Sequence, residues 1–204
     1  MKKILLLILG MLFLFSVKSQ NNKRERREVK RFLHSFLTER GISGKRITLV
    51  STCDTSMDHY MRQALNEDGI TFGRREKNEK GYFTVRDTFA LSTLEREAIL
   101  DGLKHNKSFL WGSGFNKDFR IIPEDTIWSI YSRTKGSVYN YLKALYGDGK
   151  THGMSYPIFF RDYRYCVFTY SMGCGELCAE GILGIYKRRG KKWKLYFTLV
   201  TMVS

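Results

Sequence analysis

Two cysteines four positions apart, Cys174 and Cys178, sit in a connection crowded with Gly173, Gly175 and Gly181. Thiols at that spacing have several chemistries open to them. A disulfide needs only a turn that brings the Cα atoms to about 5 to 6 Å, and glycine flanks permit one. A redox dithiol ordinarily has two intervening residues at a helix start, where the helix dipole lowers the thiol pKa. Here there are three, and the flanks are rich in the aromatic and β-branched residues of strands. A zinc site would need two further ligands from Cys53, Cys166 or a distant histidine. A Cys174 to Cys178 disulfide asks least of its surroundings, with Cys166 a buried thiol unless Cys53 lies opposite it.

A second chemistry is carried by charge. Lys187, Arg188, Arg189, Lys191, Lys192 and Lys194 crowd around Tyr186, Trp193 and Tyr196, in a chain with 35 basic against 20 acidic side chains. Cations hold phosphate or sulfate groups while a ring stacks on a base or sugar. Lys187, Arg188, Arg189, Lys191, Lys192 and Trp193 are therefore the expected binding set for an acidic polysaccharide or another polyanion. The plainer reading is a solvated hairpin tip and a net charge that keeps the chain dissolved.

Catalytic signals are sparse. His34, His59, His105 and His152 fall one to a segment. His152, expected in a polar glycine loop, could serve as a base, and no partner declares itself. Glu124 with Asp125, and Asp54 with Asp58, read as helix starts, where carboxylates favour the positive end of the dipole. There is no nucleophile elbow, P-loop, dinucleotide fingerprint or H-E-x-x-H. The sequence thus names no catalytic residue, metal or cofactor, and points to a binding or interaction module ahead of its alternative, an extracytoplasmic hydrolase.

The elements that must position these groups follow from periodicity. Residues 163–170, 181–187 and 192–203 read as three strands of a meander, with Arg188 to Lys191 as the turn between the last two. Strict alternation in the last strand predicts Trp193, Leu195, Phe197, Leu199 and Val203 on one face. Upstream, Val29, Phe32, Leu33, Phe36 and Leu37 mark an amphipathic helix over 21–40 that ends near Gly41. Its basic side could lie on an anionic membrane, though such a stripe is expected to pack on its own domain. Residues 47–53 read as a strand and 54–66 as a helix with Met57, Tyr60, Met61, Ala64 and Leu65 inward. A hairpin is expected between 70–72 and 82–85. Ser92 and Glu95 form a capping box for a helix over 93–105 with Leu94, Ala98, Ile99 and Leu103 inward. Residues 126–131 fit a helix or a strand, and 138–146 a helix. The fold class is α+β, N-terminal helices packed on a C-terminal antiparallel β-meander, in one domain over 20–204.

The chain opens Met1-Lys2-Lys3, runs apolar from Ile4 to Phe15 but for Gly10, and presents small residues at Val17 and Ser19. That is the pattern of a secretory signal peptide over residues 1–19. Its apolar core, roughly 14 residues, falls short of the about 20 that span a bilayer. No cysteine lies near the cut, so a lipid anchor is not expected. Cleavage would leave 32 basic against 20 acidic side chains over 185 residues, in a soluble protein that is periplasmic or secreted, with no stable membrane insertion.

A resemblance adds to this. Ser155, Pro157, Ile158, Phe159 and Asp162, then Cys174-Gly175, Leu177-Cys178 and Gly181, then Tyr186-Lys187, Lys192-Trp193 and a terminal Ser204 resemble a group of uncharacterised exported proteins of Bacteroidota. Their C-terminal motif set reads S-x-P-I-F, C-G-x-L-C and K-W. The chain departs at Phe160, Ala179 and Met202, where the group favours serine, glycine and tryptophan. The resemblance implies export and fold rather than an activity. The cysteine turn is also similar to the C-S-E-L-C turn of the binuclear copper site in oxidase subunit II. Ile182 and Ile185 stand where that family has its histidine and methionine, which removes two of the ligands copper needs.

Overall fold

The computed structural model describes residues 23–66, 69–78, 81–112, 114–133, 138–147, 149–174 and 178–203. The expected signal peptide, residues 1–19, lies outside them. Helix α1 covers 23–39, and its five stripe residues, Val29, Phe32, Leu33, Phe36 and Leu37, are all buried. It ends where Gly41 takes a φ of 67°. The Ile42 amide donates to the Leu37 carbonyl and the Gly41 amide to that of Thr38, which satisfies the last turn in the Schellman arrangement.

The remaining elements are β1 (Ile47–Cys53), α2 (Asp58–Leu65), β2 (Gly69–Asn78), β3 (Gly81–Ala90) and α3 (Thr93–Asn106), then β4 (Phe119–Ile122), α4 (Glu124–Arg133) and α5 (Val138–Tyr146). Five strands close the chain: β5 (Thr151–Met154), β6 (Ile158–Phe160), β7 (Tyr165–Gly173), β8 (Ala179–Arg189) and β9 (Lys192–Val203). One sheet runs β4-β1-β5-β7-β8-β9, with β6 also on β7. Strand β1 is parallel to β4 and β5, while β7, β8 and β9 form the antiparallel meander. The class is α+β, with helices packed on the sheet. Helix α1 covers one face over an aromatic core, and α2, α3 and the β2–β3 hairpin cover the other. Helices α4 and α5 share a smaller cluster with Val50 of β1 and Ile122 of β4.

The motif around Ser155 and Pro157 has a plain structural role. Strands β5 and β6 pair with the same edge of β7, and Ser155-Tyr156-Pro157 breaks the row between them. At the break Ser155 N donates to the Thr169 carbonyl, 3.0 Å, and Thr169 N donates to Ser155 Oγ, 2.8 Å. The hydroxyl stands in for a ladder carbonyl. Asn106 Oδ1 accepts from Tyr156 N, and Pro157 has no amide to satisfy. The gap in the strand therefore leaves these buried amides paired.

Four expectations change. Tyr60, expected inward on α2, is 38% exposed. Strand β9 does not keep one face: its pairing with β8 shifts between Leu183 and Gly184 and again between Ile185 and Tyr186. Each shift inserts one extra residue and moves the inward side chains to the opposite face. Trp193 accordingly packs in the core under α1 and Phe197 in the core under α2 and α3. In α3 the capping box forms as read, with Ser92 N donating to Glu95 Oε2 and Glu95 N to Ser92 Oγ, but Leu94 is 77% exposed and Ala98 faces solvent. Ile99 and Leu103 carry the contact. The hairpin expected at 70–85 is longer, pairing Gly69 to Ala90 through Asn78 to Gly81.

Candidate functional site

The exposed side of α1 is strongly basic. The inward stripe leaves Lys23, Arg26, Arg27, Lys30, Arg31 and His34 pointing outward, and these six line one shallow groove. His34 also lines a second groove, with Ser35, Thr38, Glu39, Lys191, Lys192, Trp193 and Lys194. The helix face and the β8–β9 hairpin thus join at His34 into one cationic surface, although their sequence positions are far apart. The hairpin tip exists because Gly190 takes φ 62°, which glycine adopts without steric cost.

A buried carboxylate ties the two parts together. Glu28, on the first turns of α1, is 3% exposed at its side chain, with Arg31 Nη1 2.7 Å from Oε1 and Arg188 Nη1 3.3 Å from Oε2. A charge at that depth is tolerated only when paired. The consequence is that Arg188, one of the six expected binding residues, is a strut between helix and hairpin, and it also donates from Nε to the Gly190 carbonyl.

The other five separate by face. Arg189, Lys191 and Lys192 are exposed at the tip. Lys187 pairs in register with Lys194, and its Nζ sits 5.4 and 5.2 Å from the ring centres of Tyr165 and Tyr196, a cation held by aromatic faces. Trp193 is 2% exposed. It meets Phe32 edge to face with centroids 5.7 Å apart, so its ring is a core residue flooring the second groove rather than a free stacking platform. The basic side of α1 is legible in the sequence, but its junction with the hairpin is not, because a helix face and a hairpin tip meet only through tertiary packing.

Cys174 and Cys178 lie at disulfide distance with Cα atoms 5.1 Å apart, and Cys174 N donates to the Cys178 carbonyl, 2.8 Å, closing the turn. Cys53 and Cys166 are free and buried. Burial pushes the Cys53 thiol up to about 12 and Cys166 well above its ordinary value, which disfavours the reactive thiolate. His152 is not in a loop: it is 2% exposed in β5, and its Nδ1 lies 3.0 Å from the Tyr170 hydroxyl, so it serves the interior. Among the described residues no group of three His, Cys, Asp or Glu is placed to hold a metal ion, and no helix is long and apolar enough to cross a membrane.

A deeper cleft opens beside α1. Glu25 of α1, Asp101 and His105 of α3, Tyr156 to Phe160, and Asp162 with Tyr163 line it, and its volume is 460 Å³. Close packing of α3 on β6 forms its floor: a Cβ at Gly102 would meet Ile158 Cγ2 at 2.6 Å. Its mouth is built from an unusual backbone, for Arg161, Asp162 and Tyr163 have φ of 51°, 52° and 60°. Left-handed geometry costs a residue with a Cβ about 1 to 2 kcal/mol. Arg161 holds the run in place: Nε donates to Glu95 Oε1, 2.5 Å, and Nη2 to the Ala90 carbonyl, 2.7 Å, with the guanidinium 4.5 Å from the Phe89 ring centre. Burial raises the Tyr156 hydroxyl, and the neighbouring charge of Glu25 raises it further.

Three buried carboxylate oxygens of Asp54 and Asp58 lack a hydrogen-bond partner among the described residues, although Asp54 Oδ1 accepts from Ser56 N and Oγ. Asp58, 6% exposed at the start of α2, has no partner for either carboxylate oxygen, and Asp54 none for Oδ2. Burial, and secondarily the neighbouring Asp54, pushes Asp58 up to about 6 against the pull of Arg62, Lys107 and His59. Comparison with protein-family models, with curated proteins and with solved structures finds no match for this chain.

Proposed function

We propose that this protein is an exported binding module for polyanions. The observation that carries the reading is the junction at His34, where the cations of α1 and those of the β8–β9 hairpin line two grooves that share a residue. A polymer bearing regularly spaced negative groups would contact both at once, and release of its counterions would drive association. Glu28 supports the same reading, since by gripping Arg31 and Arg188 it holds the hairpin at a fixed place beside the helix and keeps the two patches in register. Export rests on the leader-like residues 1–19, and a cysteine pair at disulfide distance suits an oxidising compartment.

The test uses two triple variants. Lys23, Arg27 and Lys30 to serine removes the helix part, and Arg189, Lys191 and Lys192 to serine removes the tip, none of these touching Glu28. Each should elute from heparin at lower salt than the parent, and the logarithm of affinity should fall less steeply with that of salt, by up to about one charge equivalent per residue removed. Unchanged elution of both variants would overturn the reading.

A further inference from the structure

The cleft beside α1 does not share the chemistry of the basic surface it adjoins. One wall is aromatic, from Tyr156, Phe159 and Tyr163, and the other bears the carboxylates of Glu25, Asp101 and Asp162. Carboxylates repel phosphate and sulfate groups, so the cleft is no continuation of the anion site. Two of the three carboxylates already have a cation of their own: Asp162 holds Arg24 Nη2 at 2.8 Å and Asp101 holds Lys104 Nζ at 2.9 Å. What remains is a set of carboxylate acceptors, that of Glu25 without a cation among the described residues, lining the same cleft as the rings of Tyr156, Phe159 and Tyr163, in a volume suited to a small ligand.

We infer that this cleft seats a pyranose ring, and that the polyanion is accordingly an acidic polysaccharide and not a nucleic acid. A sugar ring offers hydroxyl donors around its edge for the carboxylates and a C–H face to lay on the Tyr163 ring, on the side away from the Arg24 guanidinium that sits 4.7 Å from the ring centre. A nucleotide could stack on the same ring, but every unit of a nucleic acid carries a phosphate that would then face three carboxylates, whereas an acidic polysaccharide with uncharged rings between its charged ones can place one of those in the cleft. The geometry also joins the two sites: Glu25 points into the cleft while Arg26 and Arg27, the next residues of the helix, line the basic groove. A chain with one ring in the cleft has its anionic groups over α1. The left-handed run from Arg161 to Tyr163 sets Asp162 and Tyr163 at the mouth, where they would meet the ring first.

The inference rests on the polyanion reading, and the experiment separates the two. Hyaluronan hexasaccharide, whose N-acetylglucosamine rings are uncharged, and a single-stranded DNA oligomer of equal formal charge are titrated calorimetrically into the parent, Asp101→Asn and Tyr163→Ala, with circular dichroism confirming the fold of each. Simple electrostatics predicts that Asp101→Asn, by removing a negative charge, slightly tightens both ligands. A saccharide subsite predicts the reverse for the hexasaccharide alone. It should bind about ten-fold more weakly to either variant, with a loss that is the same at low and high salt because hydrogen bonds and ring stacking are little screened, while DNA binding does not weaken. Unchanged or tighter hexasaccharide binding to both variants overturns the subsite and leaves the polyanion reading standing. Tighter binding of DNA than of the hexasaccharide to the parent overturns the choice of glycan. Absence of binding by both ligands at low salt overturns the polyanion reading, and this inference falls with it.

Discussion

On one face of the sheet Phe32 meets the rings of Phe36, Phe159, Phe168, Tyr186 and Trp193 beneath a single helix; on the other, aliphatic and methionine side chains such as Met57, Met61, Ile99, Leu183 and Ile185 lie under two helices and a hairpin. Most of the aromatic pairs are edge to face, the arrangement the ring quadrupoles prefer, each adding about 0.5 to 1.5 kcal/mol beyond area burial. The difference teaches how a surface is supported. Under α1 one helix both closes a core and displays the cations, so the inner and outer sides of the same turns are coupled. Under α2 and α3 closure is shared among elements, and nothing outside depends on one of them alone.

Truncating the centre of each face should break that comparison most forcibly. Phe32→Ala leaves a large void among rings and is expected to cost about 3 to 5 kcal/mol, and Ile99→Ala about 2 to 5 kcal/mol, both read from urea unfolding. The sharper difference is in binding. At temperatures where both variants remain folded, Phe32→Ala should weaken retention on heparin because α1 loosens, whereas Ile99→Ala should leave it unchanged. Equal loss of retention in the two would show that α1 is not specially coupled to its outer face.

The second contrast is electrostatic. The α1 side buries a carboxylate ion-paired to Arg31 and Arg188, Glu28, whose Oε2 nonetheless has no hydrogen bond, and the α2 side one with neither hydrogen bond nor ion pair among the described residues, Asp58. With the Asp58 pKa raised from 3.8 to about 6, the folded state holds its proton more tightly than the unfolded chain does. Stability from the neutral form is fully present below about pH 4 and is lost as pH rises toward 6, a difference of about 3 kcal/mol. Asp58→Asn should therefore match the parent near pH 4 and exceed it by up to that amount at pH 7. A difference that does not grow with pH would contradict the assigned environment.

Legibility in the sequence divides along physical lines. Long periodic segments were readable: α1 from its five-residue stripe, β1 and β9 to their ends, α3 from Ser92 and Glu95. Strands β4, β5 and β6, of four, four and three residues, are shorter than the window over which a period of 2 can be told from chance. With them went the parallel part of the sheet, and His152 was taken for a loop residue. The bulges in β9 are set by the partner strand, so alternation alone misplaced Phe197. Both parts of the basic surface were visible singly, as the run from Lys187 to Lys194 and as the basic side of α1. Their meeting at His34, and the whole cleft, depend on tertiary packing, which no local pattern encodes.

The cysteine turn allows a smaller comparison, between the tip that β8 shares with β7 and the one it shares with β9. The first is closed by a cysteine pair at disulfide distance, the second by Gly190 and Arg188. A loop this short removes little chain entropy, so Cys178→Ser should cost about 2 kcal/mol, the low end of the usual range. Heparin retention should be unaffected, since the cations sit at the other tip. A non-reduced digest of the parent should yield a peptide two hydrogens lighter than its reduced form, and free thiols at both positions would refute the pairing.

The smallest expected effect lies at the start of α3, where local and long-range roles of one side chain can be told apart. Ser92→Ala removes the acceptor for Glu95 N, and loss of an N-cap costs about 1 kcal/mol. Glu95 does more than cap. Besides accepting from Ser92 N it accepts from Arg161, and that hydrogen bond, ahead of the one from Ser92, holds its carboxyl below the usual range. Its folded pKa being depressed, the stability it brings is present at neutral pH and is lost as pH falls below the ordinary value for glutamate. Glu95→Gln should thus cost more than Ser92→Ala at pH 7, with the gap closing in acid, because it also releases Arg161 and the left-handed run at the cleft mouth. In the saccharide titration Ser92→Ala should leave hexasaccharide affinity unchanged and Glu95→Gln should lower it. If the two variants instead changed that affinity alike, the connection from Glu95 through Arg161 to Tyr163 would carry no positional information.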